Sequence, residues 1–154
     1  MRGKMSGLLL VAVAIGAVGG CGGSGATLTK DQLSARARVV CERAEDQARA
    51  RYGRGDLTSV TQRMATILRL KANGMAALTP PKELASRFEA YVHVLRAQSA
   101  LFTKYATALR SGVRLTPTTK GQELKTREEE LAIALRFKGC IERVEAFESE
   151  RSGS

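Results

Sequence analysis

Apolar residues along this chain recur at intervals of three and four from Leu33 to Phe147, interrupted by turn signals. That period predicts amphipathic helices. In the first stretch Leu33, Ala37, Val40, Cys41, Ala44 and Ala48 share one stripe. Ahead of it, Thr29-Lys30-Asp31-Gln32 has the form of a capping box, a hydroxyl with an amide side chain three residues on. This helix is expected to end near Tyr52, where Gly53-Arg54-Gly55-Asp56 supplies a glycine and a turn. A second helix starts at Asp56 or Thr58, with Val60, Met64, Ile67, Leu68, Met75 and Leu78 on its apolar face. Gly74 weakens it by about 1 kcal/mol relative to alanine. It must stop before Thr79-Pro80-Pro81.

Thr79 as N-cap and Pro80 in the first turn are expected to open the third helix. Its stripe is Leu84, Phe88, Tyr91, Leu95, Gln98, Phe102, Tyr105 and Leu109, widened by Val94 and Leu101. A stripe that broad predicts two neighbours, as in a bundle core. Ser111-Gly112 ends it, and Thr116-Pro117 repeats the opening signal for a fourth helix. There Leu124, Leu131 and Leu135 mark one face, while Ile133, Phe137, Cys140, Val144 and Phe147 mark the opposite one. One straight helix cannot turn both towards a single core, so a kink or break is expected near Lys138–Gly139. No window alternates apolar and polar residues as a strand does, and no internal repeat is visible. Four helices with short connections predict an all-α fold, a four-helix bundle in up-down-up-down order.

The N-terminal residues follow a different pattern. Arg2 and Lys4 precede an uncharged run from Gly7 to Gly20. A basic stretch, a short apolar stretch and small residues make a secretory signal. Leu8 to Val18 covers roughly 16 Å as a helix, against about 30 Å of hydrocarbon, so it is short for a permanent membrane span. The run ends Val18-Gly19-Gly20-Cys21, which resembles the bacterial lipobox. The resemblance implies a diacylglycerol thioether on Cys21, loss of residues 1–20, and a place on the extracytoplasmic face of the cell membrane. Ordinary secretion with an unmodified Cys21 is the alternative. Residues 21–27 are Gly-rich and read as a flexible tether, residues 28–150 as the helical domain, and residues 151–154 as a disordered tail.

Composition narrows the function. The chain has 154 residues, one histidine, three cysteines and no tryptophan. This length disfavours a multidomain enzyme, and the cysteines and lone histidine are too few for a disulfide-dense scaffold or a His/Cys zinc site. Lys and Arg number 25 against 15 Asp and Glu, a net charge of +10. The surplus lies between residues 28 and 115, since residues 116–154 carry seven basic and eight acidic side chains. An exported chain seldom meets nucleic acid, so an anionic lipid surface or envelope polymer is the expected partner of such charge. Plain solubility is the competing explanation. Cys41 and Cys140 fall on the stripes of helices that neighbour each other in a bundle, and outside the cytoplasm they are expected to pair; buried free thiols are the alternative.

These features together resemble a group of small actinobacterial lipoproteins. The resemblance rests on the lipobox, the Gly/Ser tether, Leu28-Thr29-Lys30-Asp31-Gln32-Leu33, Cys41, Leu78-Thr79-Pro80-Pro81-Lys82-Glu83-Leu84 and Cys140. It implies a helical fold, a disulfide and an export address, and it brings no activity. The chain departs from the group in the fourteen residues beyond Cys140 and in its arginine-rich first helix.

Candidate chemistry is sparse. His93 falls opposite the stripe of the third helix, on a face expected to meet water. Glu128, Glu129 and Glu130 are consecutive and point in three directions, so they are expected to be solvated and to favour the helix dipole rather than hold a cation. No phosphate-binding glycine loop, nucleophile elbow or HExxH is present. Gln98 interrupts an apolar stripe. Either it sets register as a polar core residue, or with Tyr91, Phe102 and Tyr105 it lines a ligand cavity among helices 2 to 4. The sequence therefore points to an exported, lipid-anchored cell-envelope protein. It is expected to bind a protein or anionic partner without catalysis, cofactor, metal or nucleic acid. A small-ligand-binding lipoprotein is the alternative.

Overall fold

A computed structural model describes residues 26–52, 55–115, 118–137 and 139–141. The signal run, Cys21, most of the tether, Val144, Phe147 and the tail lie outside the described residues. Helix α1 spans Lys30–Tyr52, α2 Leu57–Ala76, α3 Ala85–Arg110 and α4 Thr119–Ala134, and no strand occurs among the described residues. The capping box ahead of α1 is reciprocal: Thr29 N–H donates to Gln32 Oε1 at 3.0 Å and Gln32 N–H to Thr29 Oγ1 at 3.3 Å. Asp56 caps α2 by accepting the Ser59 N–H at 2.8 Å.

The other two helices start later than expected. Thr79 does not cap α3. Pro81 follows Pro80 and keeps it out of the α region, and Pro81 itself is extended, with φ −59° and ψ 148°. A single 3-10 turn, Lys82–Leu84, then leads into α3. The Thr79 carbonyl instead accepts the Leu28 N–H at 2.9 Å, which ties the start of the domain to the α2–α3 connection. At α4 the cap is Thr118, not Thr116: its hydroxyl accepts the Gly121 N–H at 3.2 Å and lies 2.6 Å from the Tyr105 hydroxyl.

The fourth helix breaks, but at Leu135–Arg136 rather than at Lys138–Gly139. Arg136 takes a left-handed conformation with φ 61°. Its N–H donates to Ile133 O at 3.0 Å, and the Phe137 N–H donates to Ala132 O at 2.7 Å. This is the Schellman arrangement, with arginine in the position glycine usually holds. The reversal resolves the two-faced pattern. Leu131 and Leu135 reach the core from α4, while Phe137 and Cys140 reach it from the chain beyond. Ile133, expected on the buried second face, is 67% exposed. Phe137 packs edge-on against Phe88 and Tyr91, at ring separations of 6.3 and 5.5 Å.

The four helices pack in chain order, α1 on α2, α2 on α3 and α3 on α4, with no close backbone approach between α1 and α4. The segment after α4 bridges that gap. Cys140 is disulfide-bonded to Cys41, 99 positions away, with the two Cα atoms 5.5 Å apart. Ser34 Oγ also donates to Arg136 O at 2.9 Å. One continuous core runs from Leu33 and Ala37 on α1 through Leu68, Met75, Tyr91 and Leu95 to Leu131 and Leu135.

At Gly74, α2 passes close to Val40 of α1. A Cβ there would lie 2.6 Å from Val40 Cγ1. Its weakness as a helix former is thus offset by close helix packing. Gly74→Ala is expected to lower stability by about 1–3 kcal/mol despite alanine's better helix propensity. Val40→Ala in the same chain should recover part of the loss, as read by guanidinium unfolding.

Candidate functional site

Two polar features stand out among the described residues, one inside the core and one on the surface. The inner one centres on Lys71. Its ammonium is 1% exposed and lies 3.4 Å from Glu45 Oε1, itself on a nearly buried side chain. Gln98 of α3 hydrogen-bonds the Glu128 carboxylate of α4, and Lys71 also acts on that carboxylate. Each of the four helices therefore contributes at least one polar group to a single cluster. Burial pushes the Glu128 carboxyl above its ordinary value, and Lys71 and then Gln98 pull it back in part. Tyr91 is fully buried beside them. Burial, and then the Glu128 charge, push its phenol well above its ordinary value. Its hydroxyl has no hydrogen-bond partner among the described residues.

Glu128 corrects the sequence expectation. It lies in the second half of α4, far from the helix N-terminus, and turns inward rather than into solvent. Glu130 is exposed and pairs with Arg127 at 3.0 Å. The signal was present in the chain. Lys71 fills a gap between Leu68 and Met75 in the α2 stripe, as Glu128 fills one between Leu124 and Leu131 in α4. Each is a charged residue at a core register position.

The residues considered for a ligand cavity separate into two pairs. Tyr91 and Gln98 belong to the core cluster. Phe102 and Tyr105 are half-buried, with rings 6.0 Å apart, beside the cap of α4. His93 is exposed on α3, as its register implied.

The outer feature is a groove of about 420 Å³ between the first turns of α1 and the chain after α4. Arg38 and Arg136, both exposed, stand on its two walls, with Asp31, Ser34 and Ala35 along the α1 side. Gly139 lies so close to α1 that a Cβ there would sit 3.3 Å from Arg38 Cγ. Arg38 also reaches Glu42 at 3.7 Å. Further exposed arginines on α1 are Arg36, Arg43, Arg49 and Arg51. Among the described residues no group of three His, Cys, Asp or Glu side chains is placed to hold a metal ion, and no described helix is long and apolar enough to cross a membrane. Comparison of the chain with family models, curated proteins and solved structures finds no match.

The core cluster generates two expectations. Lys71→Met leaves two inward carboxylates without their cation and should cost about 3–5 kcal/mol, whereas Lys71→Met with Glu45→Leu should regain much of it in a denaturant double-mutant cycle. Glu128 is protonated more readily in the folded chain than in the unfolded one, so its own contribution to stability falls as pH rises through and above the ordinary carboxylate range. Glu128→Gln removes that dependence. Its stability relative to wild type should increase from pH 4 to pH 7, and equal pH profiles would contradict the assignment.

Proposed function

We propose that this chain is an exported helical protein, held at the extracytoplasmic face of the cell membrane by a lipid on Cys21. In this reading it acts by binding an anionic lipid, polymer or acidic protein surface, without catalysis or a cofactor. The observation that carries the reading is the Cys41–Cys140 disulfide. Disulfides of this kind persist in oxidising compartments outside the cytoplasm. The exposed arginines of α1 favour an anionic partner. Near a headgroup surface each basic side chain contributes about 1 kcal/mol, so a handful acting together suffices for a salt-sensitive association. The four helices, in this reading, form an up-down-up-down bundle, with the tether leaving from the end marked by Leu28 and the α2–α3 connection.

Replacement of Cys21 by alanine tests the address. The wild-type chain should partition with membranes and carry the added mass of a diacylglycerol. The variant should appear in the soluble or secreted fraction with its Cys41–Cys140 bond intact. Membrane retention of Cys21→Ala would overturn lipid anchoring.

A further inference from the structure

The groove between α1 and the chain after α4 lies where the last described residue, Ile141, hands over to a short acidic segment. That segment, residues 142–154, contains Glu142, Glu145, Glu148 and Glu150 against Arg143 and Arg151. Thirteen residues reach at most about 43–47 Å when extended, so the whole groove lies within their span. Cys140 is fixed to Cys41 at the groove wall, which keeps the start of the segment beside α1 and raises its local concentration there. The groove offers two guanidinium groups, Arg38 and Arg136, against one carboxylate, Asp31. The charges are therefore complementary. The groove also offers apolar surface. The exposed Ala35 forms its apolar edge, with Phe137 and Cys140 almost wholly buried behind it, and the sequence stripe of Phe137 and Cys140 continues at spacings of four and three into Val144 and Phe147. The small side chains Ser34 and Ala35 leave room along α1. The volume of about 420 Å³ falls in the range of about 300–1,000 Å³ that encloses ligand-sized groups.

We propose that the acidic C-terminal segment, residues 142–154, docks in this groove, pairing its glutamates with Arg38 and Arg136 and seating Phe147 beside Ala35, and so competes with anionic partners for the exposed arginines of the groove. The docking stands on the groove and the segment alone. The competition rests on the anionic-partner reading above. The segment is then an internal mimic of the partner: it lowers affinity for weakly charged surfaces and yields to strongly charged ones.

The experiment compares the full chain with a variant carrying Glu142→Gln, Glu145→Gln, Glu148→Gln and Phe147→Ala, which leaves every described residue untouched. Arginine-selective modification by phenylglyoxal, read by mass spectrometry, reports docking. Arg38 and Arg136 should react at least threefold faster in the variant, while Arg110, exposed at the end of α3, should not change. Equal rates at Arg38 and Arg136 overturn the docking. Protection that disappears on dilution assigns the segment to a second copy of the chain and also overturns it. Sedimentation with vesicles of anionic phospholipid, with neutral vesicles as control, reads the competition. The variant should bind anionic vesicles at least threefold more tightly at low salt, and equal binding by both proteins overturns the competition. If neither protein binds anionic vesicles while the arginine rates differ, the docking holds and the lipid form of the proposed function fails.

Discussion

The Lys71 ammonium sets the terms for the rest of the fold. A cation that is 1% exposed must meet a carboxylate, because an unpaired buried charge costs several kcal/mol. Glu45 supplies that carboxylate from α1, and Gln98 holds Glu128 from α3 and α4 within its influence. Sliding any one helix by a turn would leave a charge or an amide unmatched in the core. The cluster therefore fixes the mutual register of four helices whose apolar stripes, by themselves, tolerate more than one alignment. Nearby, Ser99 Oγ donates to Ala65 O at 2.9 Å and pins α3 to α2 along the same seam.

The second constraint acts where the polar cluster ends. Helices α1 and α4 do not approach each other closely, so the chain after α4 must fill and close the space between them. It does so by turning at Arg136, inserting Phe137 against α3 and binding Cys140 to Cys41. An arginine in a left-handed conformation costs roughly 1–2 kcal/mol. Burial of a phenylalanine, at about 1.5–3 kcal/mol, and a disulfide closing about 100 residues, at up to about 4.7 kcal/mol by the chain-entropy model, together offset that strain. The strained residue also has its carbonyl held by Ser34.

Periodicity made the helices legible because their apolar residues repeat at spacings of three and four, with a charged residue standing in the stripe only at Lys71 and Glu128. Their ends were less legible. At Pro80-Pro81 two rules competed: a proline suits a first helical turn, but a proline followed by another proline is held extended, and the second rule won. The break in α4 was visible as two conflicting stripes, yet glycine preference placed it at Gly139 when Arg136 makes the turn. Glu128 was misplaced because three consecutive glutamates suggest a solvated face, and local charge outweighed the register that puts the first of them between Leu124 and Leu131. Lys71 passed unnoticed for a similar reason, since a stripe is built by counting apolar residues and a lysine at the right position drops out of the count.

The inward-facing charges also bear on the surface electrostatics. The interior takes up Lys71 and Glu45 as a pair, with Glu128 half-buried beside them, so burial of the pair leaves the charge balance of the solvent-facing surface unchanged. The basic surplus is shared among the first three helices: α1 carries six basic against four acidic side chains, and residues 79–115 six against two. Charges act over a Debye length of only about 8 Å at physiological ionic strength. At that range the exposed arginines of α1 act on a charged surface only in near contact.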